Sequence, residues 1–350
     1  MRRLAVWTTT AAVALMGVAS AQTRPADPAA PAQAAAAPSE LTSAITAYAA
    51  YHSDVSELRT STIGNAAQLE AALDRVGHHN RDALTRGWVA YGAATAAQSP
   101  AFVQGVRDAA AYYGRDAVIW AVTADPSYAR GLRGGNDATR MLLDSANADA
   151  ARIVAVADRY QEMALTIQRQ RWANSVAPQQ RARVERVRSL GVTGAPASAV
   201  PAEVAPRLAV TPLTFTPASD PTAFGGRRFW DAVRGGNTVE VASVPATYQW
   251  RVNASRGEAL DRMAAVAAIQ ALGAVESNQS AISRLINDPR TNGCLEMAQL
   301  QLYQCMSAAR FRYENAFCLG QHGLRDIGTC IGAVAQPDAT ALAPGRAGRD

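Results

Sequence analysis

Residues 292–330 read NGCLEMAQLQLYQCMSAARFRYENAFCLGQHGLRDIGTC and hold all four cysteines of the chain. Ten residues lie between Cys294 and Cys305, twelve between Cys305 and Cys318, and eleven between Cys318 and Cys330. Between the first two, Leu295, Met297, Ala298, Leu300, Leu302 and Tyr303 recur with helical rather than alternating spacing. That spacing puts Cys294 and Cys305 on nearly one face of a helix, about 16 Å apart along its axis. A disulfide tolerates a Cα separation of only about 7 Å, so these two do not bond each other. Leu319, Leu324 and Ile327 give the stretch from Cys318 to Cys330 a similar pattern. Two such helices joined by a turn form an antiparallel hairpin, where outer cysteines meet and inner cysteines meet. The expected pairs, out of three possible connectivities, are Cys294–Cys330 and Cys305–Cys318.

The arrangement resembles the twin-cysteine helical hairpins of coiled-coil–helix proteins, with both spacings longer here. The resemblance covers this stretch alone and implies a fold, not a function. Gly320, Gly323 and Gly328 weaken the second helix. The competing reading is a metal site. Structural zinc sites usually pair ligands two to four residues apart, and no Cys-x-x-Cys occurs.

Arg2 and Arg3, the apolar run Leu4–Val18 and the small residues Ala19-Ser20-Ala21 have the form of an export signal over residues 1–21, cleaved after Ala21. No cysteine follows the run, which argues against lipoprotein processing. No other run reaches the roughly 18 apolar residues of a membrane span; Ala264–Val275 is too short and carries Gln270 and Gly273. An even cysteine count fits an oxidising compartment independently of the leader. The formal charge is +5, and the leader removes two arginines and no acid, leaving +3, too little to imply nucleic acid. The chain has no lysine. A P-loop, a Ser-x-x-Lys nucleophile and a pyridoxal Schiff base are thereby excluded.

Residues 22–38 are Ala- and Pro-rich and read as a disordered tether. Residues 39–190 read as a helical bundle opened by Ser39 as an N-cap. One helix carries the stripe Leu69, Leu73, Val76, Leu84, Trp88 and Tyr91, and a second runs from Pro100 through Phe102 and Val106 to Trp120. A long helix from Asn136 holds Ile153, Val156, Tyr160, Met163 and Ile167, and an arginine-rich helix follows Pro178. Residues 191–252 form a Pro- and Gly-rich linker or strap, with a short helix expected at Phe224–Val233 and a β-hairpin over Val239–Val252. Residues 253–332 form a C-terminal helical region around Leu260, Met263, Val266, Ile269 and Leu272, closed by the stapled hairpin. Residues 333–350 read as a disordered tail. The fold class is mainly α.

Chemistry is sparse. No Gly-x-Ser-x-Gly, His-Glu-x-x-His or Cys-x-x-Cys-His occurs. His52 precedes Ser53 and Asp54, but sequence neighbours on a helix point apart. Glu70, Asp74, His78 and Asp82 stand at four-residue steps, the one candidate metal face. Interleaved with Arg75, Arg81 and Arg86, they equally form a solvated face of helix ion pairs. His79 is expected to pack rather than ligate. Arg169, Arg171, Arg181, Arg183, Arg186 and Arg188, opposed within the run only by Glu185, offer contact with an anionic envelope surface or, alternatively, a solvated helix end. His322, Glu314 and Asp326 are expected at the surface. No catalytic residue and no cofactor is expected.

The reading is an exported envelope protein of the periplasm, a scaffold or interaction module with an envelope protein or cell-wall partner. The alternatives are an enzyme acting on cell-wall polymer through paired carboxylates, which leave no sequence signature, and a metal-binding bundle.

Overall fold

The computed structural model describes residues 39–194 and 250–337. The leader, the tether, most of the strap and the end of the tail lie outside them, as do the expected helix at 224–233 and all but the last three residues of the expected hairpin.

Helices α1 (Glu40–Thr60), α2 (Ala66–Gly77), α3 (Arg81–Ala96), α4 (Pro100–Tyr113), α5 (Arg115–Ala124), α6 (Ser127–Gly131), α7 (Gly135–Ile167) and α8 (Gln180–Thr193) come first. After strand β1 (Trp250–Val252) come α9 (Gly257–Ala271), α10 (Gln279–Leu285), α11 (Pro289–Ala308), α12 (Arg312–Cys318), a π-helical turn (Leu319–Arg325), α13 (Asp326–Gly332) and strand β2 (Ala335–Pro337). Local chemistry sets the starts. Ser39, Asn65, Asn80, Ser99 and Asp288 each accept a hydrogen bond from a backbone N–H of the first turn that they cap. Pro100 and Pro289 occupy first-turn positions where a missing N–H costs nothing.

The stripe from Leu69 to Tyr91 is two helices rather than one. The side chain of Asn80 accepts from Ala83 N at 2.7 Å and so starts α3 afresh, three residues after α2 ends. The helix expected from Pro100 to Trp120 is also two, broken at Gly114, whose φ of 94° is a conformation L side chains resist. That break turns Trp120 outward instead of onto the apolar face.

One core joins the elements. α3 buries every residue from Gly87 to Ala96 and packs on α1, α7 and α9; α9 is buried along most of its length. Much of this core is alanine, each burying one methyl worth about 0.8 kcal/mol. The large anchors Trp88, Tyr48, Tyr51, Tyr91, Tyr160 and Phe102 therefore carry a disproportionate share.

Both disulfides are present, Cys294–Cys330 and Cys305–Cys318, each with a Cα separation of 5.7 Å. The second arm of the hairpin is a π-turn followed by a short α-helix. Its glycines do more than weaken it. A Cβ on Gly320 would lie 3.1 Å from Ala157 O and 3.1 Å from Tyr160 Cβ, and one on Gly328 would lie 3.0 Å from Val154 Cγ2. Bare backbone is what lets this arm lie flat on α7. Residues 335–337, read as tail, form β2. It pairs antiparallel with β1, Trp250 opposite Pro337 and Val252 opposite Ala335, so Trp250–Val252 partners this segment. No helix among the described residues is long and apolar enough to cross a membrane.

Candidate functional site

The densest polar chemistry is inside the bundle. Tyr48 and His52, one turn apart on α1, face Asp149 and Arg152 of α7. The Tyr48 hydroxyl donates to Asp149 Oδ2 at 3.0 Å, Arg152 Nη1 donates to Oδ1 at 2.9 Å, and His52 Nε2 stands 3.9 Å from Oδ2. All four are buried. Burial first, then the charge of Asp149, pushes the Tyr48 and Tyr91 phenols well above their ordinary range. Both stay protonated, so they act as donors rather than as bases or nucleophiles. The network compensates a carboxylate and a guanidinium taken out of water, which neither could bear alone. Its signal in the sequence is Asp149 four residues before Ile153, on the apolar face of α7. The pairing across 101 residues was not legible.

Next to it, Asp54 accepts from Arg75 Nη1 at 2.9 Å and from His79 Nε2 at 2.7 Å. His79 is buried and packs edge-on to Tyr51, with ring centroids 5.3 Å apart. Burial also raises the Tyr51 phenol far beyond its usual value.

The two candidate surfaces of the sequence meet each other. Glu70 accepts from Arg183 Nε at 2.6 Å, and Asp74 pairs with Arg186. The acidic face of α2 and the arginine face of α8 thus neutralise one another across a helix contact. His78 follows the end of α2 as its C-cap, and Asp82 sits in the first turn of α3, accepting from Asn292 at 2.6 Å. His78 thus still follows Asp74 by one helical turn, while the helix break parts Asp82 from the face of Glu70 and Asp74. Among the described residues no group of three His, Cys, Asp or Glu side chains is placed to hold a metal ion. Arg188 pairs with Glu185 at 3.1 Å and lies over the Tyr303 ring, 5.1 Å from its centroid. Arg169 and Arg171, in the turn after α7, and Arg181 are exposed.

A cavity of about 20 Å³ lies where the α2–α3 turn meets α11 and the π-turn. Its polar lining is His79, Arg81, Gln299, Tyr303 and His322. His322 is half-buried rather than at the surface, with Nδ1 2.7 Å from Asp326 Oδ2. Glu314 accepts from the Phe311 N–H at 2.8 Å and serves the start of α12.

The outer surface carries large aromatics. Tyr112 is 81% exposed, Trp120 72% and Tyr113 63%, on the hairpin of α4 and α5, where Tyr112 and Tyr113 touch edge to face at 4.6 Å. A separate apolar groove of about 380 Å³ runs beside the Cys305–Cys318 bond, lined by Leu165, Ala308, Tyr313 and Phe317.

Fold and site together define a disulfide-stapled, all-α bundle with a polar network sealed in its core and an aromatic outer hairpin. No family model, no curated protein and no solved structure matches the chain.

Proposed function

We propose that this protein is exported, loses its leader after Ala21, and works in the periplasm as a non-enzymatic interaction module that docks an envelope partner through the α4–α5 hairpin. The observation that carries the reading is the exposed set Tyr112, Tyr113 and Trp120. Aromatic side chains with a polar handle are costly to leave in water and are enriched at protein interfaces. Three of them on one helical hairpin form a surface of the kind that partners cover. Two further features support the reading. The buried Tyr48, Asp149 and Arg152 hydrogen-bond one another, and two disulfides suit an oxidising compartment.

The test is site-specific photo-crosslinking in intact cells. A photoreactive residue at Trp120 or Tyr112 should give a discrete adduct with one envelope protein. The same residue at Val192, exposed at the far end of α8, should not. Absence of any adduct from the hairpin, or the same adducts from all three positions, contradicts the reading.

A further inference from the structure

The cavity below the α2–α3 turn has a lining of one chemical sense. His79, Arg81, Gln299, Tyr303 and His322 can all present N–H or O–H groups, and no carboxylate lines it. Of the acids around it, Glu296 and Asp82 flank Arg81, and two stand behind the imidazoles. Asp54 takes His79 Nε2 and Asp326 takes His322 Nδ1, both at 2.7 Å, which fixes each ring and leaves its other nitrogen with no hydrogen bond among the described residues. A carboxylate behind an imidazole is a common means of orienting the ring toward a ligand. His322 sits in the π-helical turn, a distortion that often marks functional positions.

Arg81 supplies the second observation. Its Nη1 pairs with Glu296 at 2.9 Å, while its buried Nε–H has Asp82 Oδ1 no nearer than 3.7 Å and makes no hydrogen bond among the described residues. A buried charged donor without a hydrogen bond is expensive, and an acceptor closer than Asp82 would supply one. The Gln299 amide and the Tyr303 hydroxyl line the same cavity beside it.

We propose that this cavity binds a single carboxylate group. Room of about 20 Å³ accepts one or two water-sized atoms, the size of carboxylate oxygens, with the rest of the ligand outside beside the partly exposed Arg81. Arg81 Nε–H and the Tyr303 O–H meet the oxygens. Each imidazole then donates one N–H to its aspartate and the other to the ligand. Such a group is carried by peptide termini, acidic side chains and acidic sugars alike. The proposal goes beyond the docking role of the α4–α5 hairpin and does not depend on it.

The experiment is an NMR titration of the full disulfide-bonded protein with sodium acetate against sodium chloride at equal ionic strength, reading the imidazole nitrogens. The chain has four histidines. The ring-nitrogen signals of His79 and His322 should shift saturably while those of His52 and His78 stay. Arg81→Gln, checked by its melting curve, should weaken the response at least about tenfold, the usual scale for losing a charge-assisted hydrogen bond. Gln299→Leu, which keeps all charges, should weaken it less. The methyl esters of glycine and of a short acidic sugar, compared with the free acids, then tell whether the free carboxylate is the recognised part: equal binding of ester and acid would overturn the assignment. No saturation, an equal response in all four histidines, a sulfate response equal to that of acetate, or a response to zinc with none to acetate would overturn the assignment.

Discussion

Asp74 bears the cost of its own burial. Its Oδ2 pairs with Arg186, but its Oδ1 is buried without a hydrogen bond among the described residues. Burial, ahead of the opposing pull of Arg186, holds its carboxyl above the ordinary value of 3.8. A raised folded-state value means that the folded protein binds this proton more tightly than the unfolded chain does. The group's contribution is therefore fully present below 3.8 and is lost as pH rises through the folded value. Asp74→Asn, which removes the charge and keeps the shape, should melt at or up to about 2 °C above the parent at pH 7. That difference should vanish near pH 4, as differential scanning calorimetry would show. A clear loss of melting temperature at pH 7 would mean that the Arg186 pair outweighs desolvation. The sequence placed Asp74 on a solvated face of helix ion pairs with the interleaved Arg75, Arg81 and Arg86, whereas Asp74 pairs with Arg186 of α8 and Arg75 with Asp54 and Glu57 of α1. What it could not supply was the partner, because α8 lies more than a hundred residues away.

Among the elements, the second arm of the cysteine hairpin tests whether glycine is there for contact or merely tolerated. Gly328→Val would drive carbon into Ala150 O and Val154 at positions already 3.2 and 3.0 Å from a Cβ. It should cost about 1–3 kcal/mol by urea denaturation, the usual range for overpacking. Gly293 in α11 is the control, since nothing lies within 4 Å of its Cβ. Gly293→Ala should stabilise by about 0.5–1 kcal/mol. Opposite signs are the expected result, and equal signs would contradict the close-approach account. Helices were legible where an apolar stripe and a cap agreed, as at Ser39 and Pro100. Their ends were not where the stripe ran on through a break. Asn80 restarts the helix although Val76 and Leu84 keep the same periodicity, and Gly114 breaks α4 from α5 amid residues that favour helix. The π-turn left no readable pattern, because its register shift comes from packing on α7.

At the scale of the whole molecule, the two disulfides close loops of unequal length, with sequence separations of 36 and 13 residues. Constraining the unfolded chain should contribute about 4 kcal/mol for the outer bond and about 3 kcal/mol for the inner one. The hairpin could be read from spacing alone because its contacts are local. The β1–β2 pair joins residues 250–252 to 335–337 and could not. The central claim is that the chain leaves the cytoplasm and is then cross-linked outer to outer and inner to inner. The direct measurement is peptide mapping by mass spectrometry of protein taken from cells, alkylated before any reduction. The account predicts two linked species, Cys294 with Cys330 and Cys305 with Cys318, no alkylated cysteine, and a mature chain that begins at Gln22. Alkylated thiols, or Cys294 linked to Cys318, would contradict it.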